Sequence, residues 1–203
     1  MPRKKTEHVL DKIMAAAMRL FGTRQFHEVR MEDVAEQAGV GKGTVYRYFA
    51  DKDDLFMGLI TRALERFVET VRDAVASHET ATDQLEAFVA AALQFFDAQP
   101  HLLDLIQRAE VLRGHGAQAP WLKKTRPVVV RILQELFARG RTQGEFQVAD
   151  PELAAHMLLG GLRSVIRFGA QPRPRDLPRR IARFCLHGAD VLGRQRRRAP
   201  AFA

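Results

Sequence analysis

The sequence of 203 residues is poor in cysteine and has no long apolar segment. The single cysteine, Cys185, excludes an internal disulfide and a metal site built from several cysteines, a usage typical of the reducing cytoplasm. No apolar run approaches the roughly 20 residues that cross a bilayer. The N-terminus leads from Arg3, Lys4 and Lys5 into an amphipathic segment, not into an apolar signal core. We therefore expect a cytoplasmic protein without a membrane span.

Sequence patterns that carry catalysis or bind cofactors are also missing. The seven histidines are scattered without an HExxH spacing, and the two serines, Ser77 and Ser164, lie outside any GxSxG context. The dipeptide Gly41-Lys42 does not belong to a phosphate-binding loop, because Glu36 stands where the loop requires its first glycine. We expect neither an enzyme nor a protein that holds a metal or another cofactor.

The net charge of +8 is distributed unevenly along the chain. Residues 171–203 contain nine arginines and two aspartates, whereas residues 1–52 contain ten Lys/Arg and seven Asp/Glu. This surplus favours general attraction to polyanions, but it is weak evidence for specific DNA binding. The arginine-rich run 194–198 is either a solvated, frayed end or a source of salt-sensitive attraction to DNA.

Helical periodicity extends along nearly the whole chain, and convincing alternation of period two is absent. The predicted fold is therefore all-α, with about nine helices. Asp51 is the expected N-cap of a long helix to residue 77, and Asp150 that of a helix over 151–168 with Pro151 at its first position. Pro127 should kink or restart the helix predicted over 121–143.

Residues 28–55 are the most informative segment, because they predict two short helices joined by a turn that contains Gly39. The apolar positions expected to be buried are Met31, Val34, Ala35, Val45 and Phe49. Glycine adopts the left-handed backbone of such a turn readily. Two helices with this turn, and donors at the start of the second, are typical of a helix-turn-helix whose second helix enters the major groove of DNA.

This segment resembles the TetR family of bacterial transcriptional regulators over about the first 60 residues. The residues that carry the resemblance are Val34, Ala35, Ala38, Gly39, Val40, Lys42, Gly43, Thr44, Val45, Tyr46, Tyr48, Phe49, Lys52 and Leu55. The resemblance implies a homodimeric repressor with a three-helix DNA-binding head, here residues 1–50. It also implies a larger helical body for ligand binding and dimerisation, residues 51–195; we expect the basic tail, residues 196–203, to be disordered.

Positions carried over from the family imply DNA contacts by Lys42, Gly43, Thr44, Tyr46 and Tyr48, and a phosphate contact by Lys52. Chemistry adds Arg47, because Arg and Lys side chains donate to guanine edges. Two residues depart from the family pattern. Arg30 replaces a Thr or Ser and is expected to reach the same phosphate with its longer side chain, and Gly41 replaces a Ser as a weaker cap.

The helical body offers two further candidate sites. Residues expected to line a ligand pocket are Phe88, Phe95, Phe96, Leu103, Ile106, Gln107, Glu110 and Trp121. Glu110 either anchors a cationic compound or pairs with Arg113, so a hydrophobic or cationic effector is expected. Apolar and small residues on the last two helices predict either a four-helix dimer interface or part of the monomer core; they are Met157, Gly161, Leu162, Val165, Ile181, Phe184, Gly188 and Val191.

The leading hypothesis is a ligand-responsive homodimeric repressor that binds double-stranded DNA at a pseudo-palindromic operator. The helix predicted over 51–77 belongs to both parts and is the expected lever between them. The alternative is a DNA-binding regulator or architectural protein that lacks a small-molecule effector. A hollow body and a compound that releases DNA discriminate the first hypothesis from the second.

Overall fold

The structure, a computed structural model, describes the backbone of residues 2–112 and 120–196 and the side chains of residues 8–111 and 125–186. Within these ranges the regular structure is helical and contains no strand, which confirms the predicted all-α fold. The helices are α1 Pro2–Thr23, α2 Met31–Ala38, α3 Lys42–Tyr48, α4 Lys52–Ala76, α5 Ala81–Asp97, α6 Leu102–Leu112, α7 Pro120–Thr142, α8 Pro151–Phe168 and α9 Leu177–Arg196, with a 3₁₀ turn at Phe26–Glu28.

Two predicted helix starts are confirmed by their caps. The Asp51 carboxylate accepts the backbone N–H of Asp54 at 2.8 Å, and that of Asp150 accepts the N–H of Leu153 at 2.9 Å. Each bond satisfies a donor that the first turn of a helix leaves unpaired. Of the two outcomes expected at Pro127, the restart is wrong, because α7 is continuous across that residue, and the kink stays a prediction.

The first compact unit comprises residues 1–65 and 99–121. In it α1 packs against α2 and α6, and α2 packs against α3. Three aromatic rings meet beside the 3₁₀ turn: the centroid of Phe56 lies 5.0 Å from that of Phe21 and 5.2 Å from that of Phe26. Edge-on ring contacts of this kind stabilise a core beyond the burial of apolar area. The unit therefore joins the helix-turn-helix to α6, which follows it by more than 50 residues in the sequence.

The second compact unit comprises residues 66–98 and 122–203. Helix α5 packs against α8 and α9, and its inner face is apolar; Leu85, Phe88 and Val89 are fully buried. Arg173 ties the ends of two helices together, since its guanidinium pairs with Asp97 at 2.7 Å and donates to the carbonyl of Val165 at 2.9 Å. The domain boundaries predicted at residues 50 and 195 stay predictions; α4 contributes residues to both units.

Candidate nucleic-acid interface

The turn between α2 and α3 has the geometry that the sequence predicts. Gly39 adopts the left-handed backbone, with φ of 66°, and its N–H donates to the carbonyl of Glu36 at 3.0 Å. The N–H of Val40 returns to the carbonyl of Ala35 at the same distance. These bonds close the end of α2 and leave the chain free to start α3 at once. A side chain at position 39 would be strained by that backbone.

Helix α3 buries one residue and exposes most of the others. Val45 is inaccessible to solvent, whereas Lys42, Gly43, Tyr46 and Arg47 are exposed. Thr44 and Tyr48 are half-buried at the edges of the exposed face. The helix thus offers a cationic and hydroxyl-bearing surface with a rigid buried anchor behind it. Such a surface suits a helix that lies in a major groove.

Gly43 lies on this exposed face, and its own surroundings do not require a glycine. A Cβ atom built at Gly43 meets no heavy atom of the described residues within 4 Å, and the backbone there is ordinary helix. Glycine in a helix costs up to about 1 kcal/mol relative to alanine. Close approach of a binding partner to the helix would be a physical reason for a glycine at this position despite its lower helix propensity.

The start of α2 has no hydroxyl cap, but Asp33 at its third position supplies the acidic half of a capping box. The Asp33 carboxylate accepts the backbone N–H of Arg30 at 3.3 Å and pairs with the guanidinium of Arg24 at 3.1 Å. The Arg30 side chain itself remains exposed beside the first turn. Arg24 and Asp33 were not among the predicted site residues. The one sequence signal for this cap is the position of Asp33, an acidic residue three positions after Arg30.

Lys52, the predicted phosphate ligand, opens α4 and is half-buried. Its ammonium lies 4.6 Å from the ring centroid of Phe26 and 3.4 Å from the carbonyl oxygen of His27. These contacts hold the lysine against the 3₁₀ turn and use only part of its donor capacity, since an ammonium carries three N–H groups. The remaining donors are consistent with an anion contact at this helix start.

Lys42, at the start of α3, forms an ion pair that the sequence analysis did not predict. Its ammonium contacts the carboxylate of Glu32 in the first turn of α2, and it lies 5.7 Å from the ring centroid of Tyr46. The hydrogen bond from Lys42 lowers the pKa of the Glu32 carboxyl, and the bond to Glu32 raises the pKa of the Lys42 ammonium. Both groups are therefore charged at neutral pH.

The residues predicted to line a ligand pocket are divided between the two units. Phe88, Phe95 and Phe96 belong to the second unit, where the latter two rings each lie 5.3 Å from that of Phe67. Leu103, Ile106, Gln107 and Glu110 are on α6 in the first unit. Arg113 and the side chain of Trp121 lie outside the described residues. The pocket assignment stays a prediction.

Six of the eight predicted dimer-interface residues line one apolar groove of about 830 Å³ on α8 and α9. They are Met157, Gly161, Leu162, Val165, Ile181 and Phe184. Met157 and Phe184 are 69% and 81% exposed, unusual values for such side chains. Gly188 and Val191 lie in α9, at positions whose side chains are outside the described part.

The described residues lack two other kinds of site. They contain no group of three or more His, Cys, Asp and Glu side chains placed to hold a metal ion. Over the same ranges, no helix combines the length and the apolar character needed to cross a bilayer.

Comparison with protein families gives two matches. Residues 13–58 match the model of the bacterial regulatory proteins of the TetR family, and residues 78–188 match that of the tetracyclin repressor-like C-terminal domain. The chain belongs to the TetR family. This TetR-family protein is a DNA-binding transcriptional regulator, as the resemblance of its first 60 residues implies, and its first match covers α2, the turn and α3.

Individual relatives of this TetR-family protein are distant. The fatty acid metabolism regulator protein of Bacillus subtilis is 24% identical over 150 residues, which cover 73% of this chain and 77% of the relative. The fatty acid degradation regulator FadR of Bacillus halodurans has a similar fold, with a TM-score of 0.74 and 24% identity. The match covers 88% of this chain and 98% of that one. The structure of FadR from Bacillus subtilis in complex with stearoyl-CoA is also similar, with a TM-score of 0.75 and 21% identity. The match covers 88% of this chain and 98% of that one.

Proposed function

We propose that this TetR-family regulator is a homodimeric, ligand-responsive repressor that reads a pseudo-palindromic operator with α3. The observation that carries the proposal is the orientation of α3, which buries Val45 and presents its cationic and hydroxyl side chains outward. Two such helices related by a two-fold axis would occupy major grooves about 34–36 Å apart, or a multiple of that spacing.

Each predicted DNA-contact residue has a proposed role. Lys42 and Arg47 donate to base edges or to neighbouring phosphates, and Gly43 lets the backbone of α3 approach the duplex. Hydroxyls of Thr44, Tyr46 and Tyr48 hold the register on the sugar-phosphate backbone. Arg30 and Lys52 bind phosphates at the starts of α2 and α4, where free backbone N–H groups favour anions. These roles follow from side-chain type and exposure.

The proposed dimer is formed by the groove on α8 and α9. An isologous interface needs one self-complementary patch, and an open apolar groove rimmed by exposed Met157, Leu153 and Phe184 supplies apolar surface for it. Gly161 at the groove has no described heavy atom within 4 Å of an added Cβ, which leaves room for a partner helix. Dimerisation also places two copies of α3 on one molecule, as a palindromic operator requires.

The proposed effector is hydrophobic, and long-chain acyl-CoA is the first class to test. Support comes from the stearoyl-CoA bound to Bacillus subtilis FadR, which shares this fold. The aromatic side chains of Phe67, Phe95 and Phe96, within the second unit, are chemically suited to an acyl chain. A cationic compound anchored by Glu110 is the other effector class that the sequence favours.

The DNA-binding part of the proposal is tested with a duplex selected from a random-sequence pool by repeated binding to the protein. Lys42→Ala and Tyr46→Ala should each weaken binding about tenfold, because each removes a contact to the duplex. Sedimentation velocity should show the same dimer for both variants. Affinities equal to that of the unaltered protein would refute the assignment of α3.

The effector part is tested by thermal shift and by release of the selected duplex. Stearoyl-CoA should raise the unfolding temperature and dissociate the DNA complex, because a ligand acts through different affinities for two arrangements. Free coenzyme A is the control for the headgroup alone. Hydrophobic and cationic compounds that all leave both readouts unchanged would favour the alternative, a regulator or architectural protein without an effector.

A further inference from the structure

Glu32 is an acidic residue placed where the proposed interface should attract phosphates. It is the second residue of α2, and its carboxylate contacts the ammonium of Lys42, the first residue of α3. About half of each side chain is exposed, 50% for Glu32 and 59% for Lys42. The pair therefore lies on the surface, where DNA can reach the lysine, and not in the core that joins the two helices.

The same lysine is needed by two anions. An ammonium already paired with a carboxylate must leave it, or share its donors, when a phosphate arrives. In either case the carboxylate ends close to the negatively charged duplex with a weakened partner. Binding through Lys42 therefore starts from a paired cation, not from a freely solvated one.

We propose that Glu32 competes with DNA phosphates for Lys42 and thereby sets the affinity of α3 for DNA and the salt dependence of binding. The proposal rests on the proposed contact of Lys42 with DNA. Random-sequence DNA is held almost entirely by phosphate attraction, so it loses a large share of its affinity to this competition. A true operator also engages Arg47 and the remaining base-reading contacts, but Lys42 must leave Glu32 there too, so the same free energy is lost. The ion pair thereby lowers the affinity for both kinds of DNA by a similar factor and leaves their ratio about unchanged.

The salt dependence of binding gives the proposal a quantitative signature. A cation that neutralises one DNA phosphate contributes about 0.9 to the slope of log K against log salt concentration. When Lys42 leaves Glu32, the freed carboxylate attracts salt cations and cancels part of this contribution. Removing the carboxylate should therefore steepen the slope by up to about 0.9. A residue that only stabilised the fold would leave this slope unchanged.

The experiment compares Glu32→Gln, Lys42→Met and the double variant on two duplexes, one selected from a random pool and one with the same bases in scrambled order. Glu32→Gln should bind the scrambled duplex about three- to tenfold more tightly near 0.1 M salt, with a similar gain on the selected duplex. The control is Glu36→Gln, which removes the same charge one turn further along α2. When Lys42 is already replaced by Met, the gain in affinity caused by Glu32→Gln should be no larger than the gain caused by Glu36→Gln.

Each outcome decides a separate point. If Lys42→Met weakens binding but Glu32→Gln does not strengthen it, or weakens it, Glu32 is not a competitor and this inference fails alone. If Lys42→Met leaves both affinities unchanged, the proposed DNA contact of Lys42 fails and the inference falls with it. Thermal unfolding of every variant checks that the changes in affinity are not changes in folding.

Discussion

Gly43 illustrates how one missing side chain reports on a partner. The space around it is open among the described residues, and its backbone would accept any residue. Intramolecular packing therefore does not explain the glycine, whereas close approach of α3 to a duplex does. A substitution here separates stability from DNA binding, two properties that most core changes alter together.

Gly43→Ala should stabilise the protein while weakening its binding to DNA. Alanine has the higher helix propensity, so the free energy of unfolding should rise by up to about 1 kcal/mol. The added methyl group should hinder contact with the duplex and lower affinity for the selected DNA about tenfold. Thermal unfolding and fluorescence anisotropy measure the two effects. Equal DNA affinity for both proteins would remove the argument for close approach.

At the scale of elements, Arg108 of α6 stabilises the end of α1. Its guanidinium donates to the carbonyl oxygens of Phe21 and Arg24, each at 3.1 Å. The last carbonyls of a helix lack partners within the helix and carry its negative dipole end, so a cation there is favourable. The side chain of Arg24 in turn forms an ion pair with Asp33 in the first turn of α2. Hydrogen bonds and an ion pair thereby connect α6, through the end of α1, to the first helix of the helix-turn-helix.

Replacing Arg108 with Met should destabilise the first unit, because two carbonyls lose a charged donor while the length of the side chain is retained. Hydrogen bonds to charged groups contribute about 1.5–3 kcal/mol, and the half-exposed site favours the lower end. The unfolding temperature should fall by about 3–6 °C for a chain of this size. Arg108→Lys, which retains a donor, should recover part of the loss. An unfolding temperature of Arg108→Met equal to that of the unaltered protein, measured by calorimetry, would contradict the stabilising role of Arg108.

Glu145 performs a comparable task in the second unit, at the start of α5. Its carboxylate accepts the backbone N–H groups of Ala81 and Thr82 at 2.8 and 2.9 Å, and the Thr82 hydroxyl at 2.7 Å. Desolvation raises the pKa of Glu145, but the three hydrogen bonds together outweigh it and leave the pKa below the ordinary 4.5. The folded state therefore favours the ionised carboxylate.

The stabilisation by Glu145 should consequently depend on pH. Because the folded state lowers the pKa, the contribution is complete above pH 4.5 and is lost as the pH falls through the folded value. Glu145→Gln should lower the unfolding temperature at pH 7, and the difference from the unaltered protein should shrink as the pH falls below 4.5. Melting curves recorded at several pH values measure it. A difference that is constant with pH would exclude the ionised cap.

For the whole molecule, the apolar groove on α8 and α9 should decide the oligomeric state. Phe184→Glu would place a charge in an interface core, where an unpaired charge is strongly unfavourable. We expect the unaltered protein to sediment as a dimer at micromolar concentration and this variant as a monomer with much weaker operator binding. Val111→Glu, a change of another exposed apolar residue in the first unit, is the control and should remain dimeric. A dimeric Phe184→Glu protein would place the interface elsewhere.

The sequence by itself determined the features that depend on neighbouring residues. Helical periodicity, the caps Asp51 and Asp150, and the left-handed Gly39 could all be predicted because each rests on contacts within a few positions. The exposed face of α3 followed from the same local pattern around Val45. The apolar and small residues on α8 and α9 predicted either a dimer interface or part of the core; six of them line one groove, and their role stays a prediction.

Only the tertiary structure decided which distant side chains meet. Arg108 lies 87 residues from Phe21, and Arg173 lies 76 residues from Asp97, so no periodicity relates the members of either pair. Glu32 and Lys42 are close in sequence, yet their ion pair depends on the angle at which the turn sets α3 against α2. Charges on a surface look alike in a sequence. The fold determines which of them are already paired before DNA arrives, and hence how strongly each can attract a phosphate.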